Sequence, residues 1–162
     1  MKLVKYILSL TLAAVLQALS FTTQAQAFIT TWKTDNPGTS ANNQITIPTL
    51  GGPFNYNVYW EEVGVPSNNG TLSNQTGTIT ITFPSIGIYR IEITGTFPSI
   101  YFAGGGDRRK ILTVQQWGNI VWARMGSAFD GCTNLTIPAI DAPNLSVATE
   151  MQFMFNGATS FN

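Results

Sequence analysis

The chain has 162 residues, with eight Lys and Arg against eight Asp and Glu, no His and one Cys. The absence of His removes the commonest general base and metal ligand, and a lone Cys allows neither an intrachain disulfide nor a cysteine-based metal cluster. A charged fraction of 10%, beside abundant Thr, Asn, Ser and Gly, is low for a cytosolic enzyme and fits an exported β-rich protein.

At the amino terminus Lys2 and Lys5 precede a run over residues 6–19 that is apolar except for Ser9, Thr11 and Gln17, followed by Ala25-Gln26-Ala27. Charge, a short apolar stretch and a small-x-small site form the layout of a secretory signal peptide. The apolar run is too short and too interrupted for a membrane span of about 20 residues. Residues 1–27 are therefore set aside as a signal peptide, with cleavage after Ala25 as a close competitor. No Cys lies near the site, so a lipid-anchored lipoprotein signal is not supported. The remaining 135 residues carry a net charge of about −2 once Lys2 and Lys5 are gone, which invites neither nucleic acid nor anionic membrane.

Residues 28–97 predict a β-sandwich. FITTW at 28–32, QITIP at 44–48, YNVYW at 56–60, GTITITF at 77–83 and IYRIEIT at 88–94 alternate or concentrate β-branched and aromatic residues. The stretches between them, at 35–43, 49–53 and 66–77, are rich in Gly, Pro, Asn and Ser and read as turns and loops. No helical periodicity intervenes, so a sandwich is expected rather than an α/β fold. Ile79, Ile81 and Phe83 share one face, as do Tyr89, Ile91 and Ile93, and Trp60 is placed to fill the space between two sheets.

From residue 98 to 162 the governing feature is self-similarity. MGSAFDGCTNL at 125–135 recurs 26 positions later as MQFMFNGATSF at 151–161, and the match extends upstream to Val121 and Val147. A period of this size belongs to leucine-rich repeats. The candidate repeat core is Met125, Phe129, Gly131 and Leu135, answered by Met151, Met154, Phe155, Gly157 and Phe161. Large apolar groups at fixed offsets form an edge that a coil buries only against its neighbours, and glycine at 131 permits a sharp turn with φ > 0. About one and a half coils are present, so the expectation is the front end of a longer array. Cys132, matched by Ala158, is expected to be a small buried residue rather than a reactive thiol.

The segment FPSIGIYRIEITG at 83–95 resembles the closing hairpin of polycystic-kidney-disease-type domains, and YNVYWEE at 56–62 resembles that family's central strand and acidic turn. Where the family has Trp-Gly-Asp-Gly, this chain has Trp60-Glu61-Glu62-Val63. An Ig-like sandwich is implied. The stretches 95–102, 105–125, 128–135 and 142–162 are similar to BspA-type leucine-rich-repeat surface proteins of bacteria, whose coils carry Met-x-x-Met-Phe-x-Gly-Ala-x-x-Phe-Asn. Met151, Met154, Phe155, Gly157, Ala158, Phe161 and Asn162 fit that pattern position by position. The resemblance implies a secreted or cell-surface protein, with a sandwich head at 28–97 and the start of a repeat solenoid at 98–162. It also implies attachment to an extracellular protein or cell-surface ligand.

Few residues point to chemistry, and neither an enzyme nor a cofactor is expected. Glu61 and Glu62 are the closest carboxylate pair, but neighbours on a strand face opposite ways and do not converge on one bond. Asp107-Arg108-Arg109-Lys110 after three glycines lacks the spacing of a phosphate loop and reads as a surface turn. Trp60 and Trp122 are expected in the core. Trp117, flanked by Gln115, Gln116 and Gly118, is the candidate for an exposed aromatic that contacts a ligand. Three function classes follow: an adhesion or protein-binding protein, a carbohydrate-binding module of an exported polysaccharide-utilisation protein, and, last, a carboxylate hydrolase.

Overall fold

The computed structural model describes residues 26–161. The expected signal peptide lies outside the described residues except for Gln26 and Ala27. Those two are tied into the body of the protein, the Gln26 carbonyl accepting from the Asn119 amide at 2.9 Å and the Ala27 carbonyl from Gln116 Nε2 at 2.8 Å.

Seven strands are present among the described residues and no helix: β1 Phe28–Lys33, β2 Gln44–Ile47, β3 Asn55–Glu62, β4 Val65–Gln75, β5 Ile79–Thr82, β6 Ile88–Thr96 and β7 Ile111–Gln116. They form a five-stranded sheet in the order β4-β3-β6-β1-β7 and a two-stranded sheet of β2 and β5, with every neighbouring pair antiparallel. Neither sheet closes into a barrel. The fold is mainly β and consistent with a β-sandwich.

The period-2 pattern of the strands explains how the sheets meet. Tyr56, Val58, Tyr89, Ile91 and Ile93 point inward from the large sheet, and Ile45, Ile47, Ile81 and Phe83 from the small one; all are buried. Phe83 stacks on Tyr89 with ring centroids 3.9 Å apart, and Trp60 meets both rings edge-on at 5.2 and 5.8 Å. The inward placement expected of Ile81, Phe83, Tyr89, Ile91 and Ile93 is what the structure has, with Trp60 filling the intersheet space.

Two strands depart from the sequence reading. Residues 66–77, expected as a loop, contain most of β4, the longest strand, which pairs with β3 through Tyr59↔Thr71 and Trp60↔Gly70. Asn, Ser and Gly are poor strand formers, but on a solvated edge the ladder to β3 and the packing of Leu72 decide the conformation. Gly70 lies under the Trp60 indole, where an added Cβ would come within 2.5 Å of the ring. The second departure is β7, which closes the other side of the large sheet on β1 from beyond residue 97, with register shifts at Ile29/Thr30 and Thr31/Trp32.

Beyond β6 the chain runs mostly as turns lying in layers. The amides of Met125, Ser127, Phe129 and Gly131 donate to the carbonyls of Glu150, Gln152, Met154 and Asn156 at 3.0, 2.9, 2.8 and 2.7 Å. Those of Phe102, Ala103 and Gly104 donate in the same sense to Ala128, Ser127 and Asp130. Isolated parallel bridges, Thr113↔Thr136 and Val121↔Asn144, link the layers elsewhere.

Within each layer one set of hydrogen bonds returns at an offset of 26. Ala128 to Met125, Asp130 to Ser127, Cys132 to Phe129, Thr133 to Gly131 and Leu135 to Cys132 are answered by Met154 to Met151, Asn156 to Phe153, Ala158 to Phe155, Thr159 to Gly157 and Phe161 to Ala158. Backbone φ is positive at Ser127 (52°) and Phe153 (59°), and again at Gly131 (73°) and Gly157 (67°). The two segments follow the same path.

Filling the space beneath Trp60 should be costly. Gly70→Ala is expected to destabilise the protein by about 1–3 kcal/mol, an overpacking effect read from chemical denaturation midpoints. Gly77→Ala, whose added Cβ meets nothing within 4 Å, should leave the midpoint nearly unchanged.

Candidate functional site

The layered region brings most of the candidate repeat core together. Met125, Phe129 and Leu135 are fully buried, and each contributes about 1.5–3 kcal/mol by leaving water. Phe129 stacks on Phe155 at 5.6 Å and 5° between ring planes, and Phe155 on Phe161 at 4.2 Å and 22°. Met154 and Phe155 are partly buried against the core. Met151 departs from its assignment: it is 53% exposed where its counterpart Met125 is 0%. Met125 is covered by the layer that begins at Glu150, and among the described residues no further layer lies on the far side of Met151.

The ties between layers are also polar. Arg124 and Glu150 pair at 3.2 Å, Asn156 Nδ2 donates to Asp130 Oδ1 at 2.8 Å, and the Asp141 carboxylate accepts from the amides of Trp117 and Gly118 at 2.8–3.1 Å. Apolar side chains that remain exposed on this region include Val121 (47%) and Val147 (53%), again 26 residues apart.

Trp117 is not an exposed aromatic. It is 4% exposed, its ring lying on Phe28 at 5.8 Å and meeting Trp122 and Phe129 edge-on at 5.8 and 6.1 Å. The polar neighbours that suggested exposure are consumed by the fold: Gln116 reaches the Ala27 carbonyl, and Asp141 holds the backbone at 117–118. Trp32 and Trp122 are buried as well, with no partner found for the Trp122 indole N–H among the described residues. Trp60 is half-buried. The four tryptophans thus form no exposed stacking platform.

The two adjacent glutamates diverge from the end of β3. Glu61 pairs with Arg90 at 3.5 Å and accepts from the Tyr59 hydroxyl at 2.9 Å, and Arg90 also pairs with Glu92. Glu62 accepts from Asn68 and from the Ser85 hydroxyl at 3.1 Å. The Tyr59 hydroxyl is held above its ordinary range, first by its hydrogen bond to Glu61. No cluster of three or more Cys, Asp or Glu suited to a metal ion occurs among the described residues, and none of them forms a helix long and apolar enough to cross a membrane.

A buried charge network is the feature that sequence reasoning missed. Asp107 and Lys110, expected on a surface turn, are 1% and 0% exposed. Asp107 Oδ1 accepts from the amides of Thr39 (2.8 Å) and Ser40 (3.0 Å), and Oδ2 from the Ser40 hydroxyl and the Thr46 amide, both at 2.6 Å. The Lys110 ammonium sits among four oxygens: Ser40 O (3.1 Å), Ser40 Oγ (2.7 Å), Ala41 O (2.9 Å) and Gln44 O (2.9 Å). The Ser40 hydroxyl joins the two charges, accepting from one and donating to the other.

Burial on its own would raise the Asp107 carboxyl. The Ser40 and Thr46 hydrogen bonds and the Lys110 charge outweigh it and hold the group below its ordinary value. Burial lowers Lys110, against the opposing pull of Asp107 and Asp35. The only signal in the sequence was an aspartate three residues before a lysine, which cannot reveal the loop at 39–41 and the start of β2 as their common partner. Burial also pushes the Cys132 thiol well above its ordinary value and Tyr56 up to about 12. The small buried residue expected at 132 is what the structure has, at 0% exposure.

Compared with protein-family models, curated proteins and solved structures, the chain matches none.

A carboxylate held below its ordinary value contributes stability that is complete above the unfolded-state value and is lost as pH falls through the folded-state value. The thermal midpoint should therefore hold down to about pH 5 and fall as pH is lowered from there toward about 2. Asp107→Asn should cost about 3–5 kcal/mol at neutral pH, because Lys110 stays buried without its counter-charge, and should flatten the acid limb. Thermal melts across that pH range check both.

Proposed function

We propose that the chain is a secreted or cell-surface protein of the BspA-type leucine-rich-repeat class, with an Ig- or polycystic-kidney-disease-like sandwich at its head, acting in adhesion or protein binding. The observation that carries this reading is the return, 26 residues on, of the same hydrogen bonds, the same positive-φ positions and the stacked Phe129–Phe155 pair. Units that hand their apolar edge to the next layer build an extended surface, and such surfaces serve protein partners. The sandwich supports the first layer through β7. The burial of Trp32, Trp117 and Trp122 removes the aromatic argument for a carbohydrate-binding module. The divergent contacts of Glu61 and Glu62 weigh against a hydrolase built on that pair.

The packing of Gln26 and Ala27 favours processing after Ala25 over processing after Ala27, since both carbonyls hold the turn at 116–119. Mass spectrometry of the exported protein is expected to find Gln26 as the first residue; a mature chain starting at Phe28 would count against this.

The binding reading is tested with the full-length protein on immobilised matrix proteins and on cells. Saturable binding is expected. The double variant Val121→Asp, Val147→Asp, placed on two exposed equivalent positions, should weaken it by about tenfold or more, as loss of an apolar anchor does, with the melting curve unchanged. Absence of saturable binding, or indifference to the double variant, would count against the layered region as the contact surface.

A further inference from the structure

Along the segment at 104–110, Asp107 and Lys110 turn inward, and the two arginines between them are left outside. Six Lys and Arg occur at 26–161. Lys33 is paired with Asp35, Arg90 with Glu61 and Glu92, and Arg124 with Glu150, while Lys110 is enclosed by backbone and hydroxyl oxygens. Among the described residues, only Arg108 and Arg109 have neither a carboxylate within ion-pair distance nor an oxygen cage.

These two arginines line the same surface cleft, about 240 Å³ in volume, together with Pro37, Gly38, Thr39 and Gly106. Arg108 is half-buried, and its side chain lies across the turn at Gly131, where a Cβ would stand 2.6 Å from Cδ and 2.7 Å from Nε. A side chain already held by packing loses less rotamer freedom on binding. The negative charge behind the cleft is spent inward, since Asp107 is saturated by three amides, the Ser40 hydroxyl and the nearby Lys110. The cleft lining therefore holds two arginines and no carboxylate, on a chain whose formal net charge is zero. Two guanidinium forks beside a threonine suit an anion with several oxygens, because each fork engages two of them.

We propose that the cleft between 37–39 and 106–109 binds a tetrahedral oxyanion, a sulfate or phosphate group, through the guanidiniums of Arg108 and Arg109. The site lies outside the exposed valine positions of the layered region and does not depend on the adhesion reading. The anion is either free in solution or carried as an ester on a sugar, and both sources present the same three or four oxygens to the arginines.

Isothermal titration of the full chain with sodium sulfate, sodium phosphate, galactose 6-sulfate and galactose 6-phosphate, with galactose as the uncharged control, tests the site. Saturable binding is expected for the anions and not for galactose. Arg108→Ala and Arg109→Ala should each weaken it by about tenfold, whereas the lysine variants, which keep the charge without the fork, should weaken it less. Arg124→Ala should leave it unchanged. Tighter binding of the sugar esters than of the inorganic ions assigns the source to a modified carbohydrate; equal affinity assigns it to the free anion. Because Arg108 also packs on the turn at Gly131, exposed Arg109 carries the test if the Arg108 variant fails to fold. No saturation up to about 10 mM, or binding that Arg109→Ala leaves intact, overturns the proposal.

Discussion

Phe28 packs simultaneously against Phe97, Trp117 and Trp122, with ring centroids 6.3, 5.8 and 5.0 Å away. This junction makes one core of what would otherwise be two. On one side it continues through Tyr56 and Val58 into the space between the sheets, and on the other through Phe129 to Phe155 in the layers of turns. Aromatic pairs of this kind add about 0.5–1.5 kcal/mol each beyond the area they bury. The turn layers contain little regular secondary structure and depend on that continuity for a rigid base. β7 serves the same end from the backbone, pairing antiparallel with β1 and meeting Thr136 in parallel.

The second restraint is polar. Residues 39–46, a loop that runs into the start of β2, present amides and carbonyls to the turn at 107–110, which in return presents a carboxylate and an ammonium that burial penalises. Each resolves the other: Asp107 takes the amides, Lys110 takes the carbonyls, and the Ser40 hydroxyl spans both. Such a network is favourable only when complete, since a lone buried charge is far costlier than a pair. Its inward geometry also leaves Arg108 and Arg109 without a carboxylate partner among the described residues, so the stabilising feature and the proposed anion cleft share one origin.

Legibility differed by element for physical reasons. The strands at 44–47, 55–62, 79–82 and 88–96 were readable because one face of each is the more buried, which imposes alternation, and β1, covered on both faces, from its concentration of β-branched and aromatic residues. β4 was not, because an edge strand facing water has no apolar face to display. Its Asn, Ser and Gly residues carry only the turn signal, and its conformation comes from the ladder to β3 and the indole over Gly70. Trp117 looked exposed from its neighbours in sequence, yet Gln116 and Gly118 are bound to Ala27 and Asp141, groups that no local window contains.

By itself the sequence determined the β character of the chain, the inward faces of the strands and the 26-residue recurrence, since each is written in a local period that burial or turn geometry enforces. Tertiary structure alone decided that β7 completes the large sheet, that Met125 is covered while Met151 is exposed, and that Asp107 and Lys110 enter the core while their neighbours do not. Those outcomes depend on partners tens of residues away, and the free energy of an unpaired strand edge, an open apolar face or an uncompensated charge is settled only when those partners arrive.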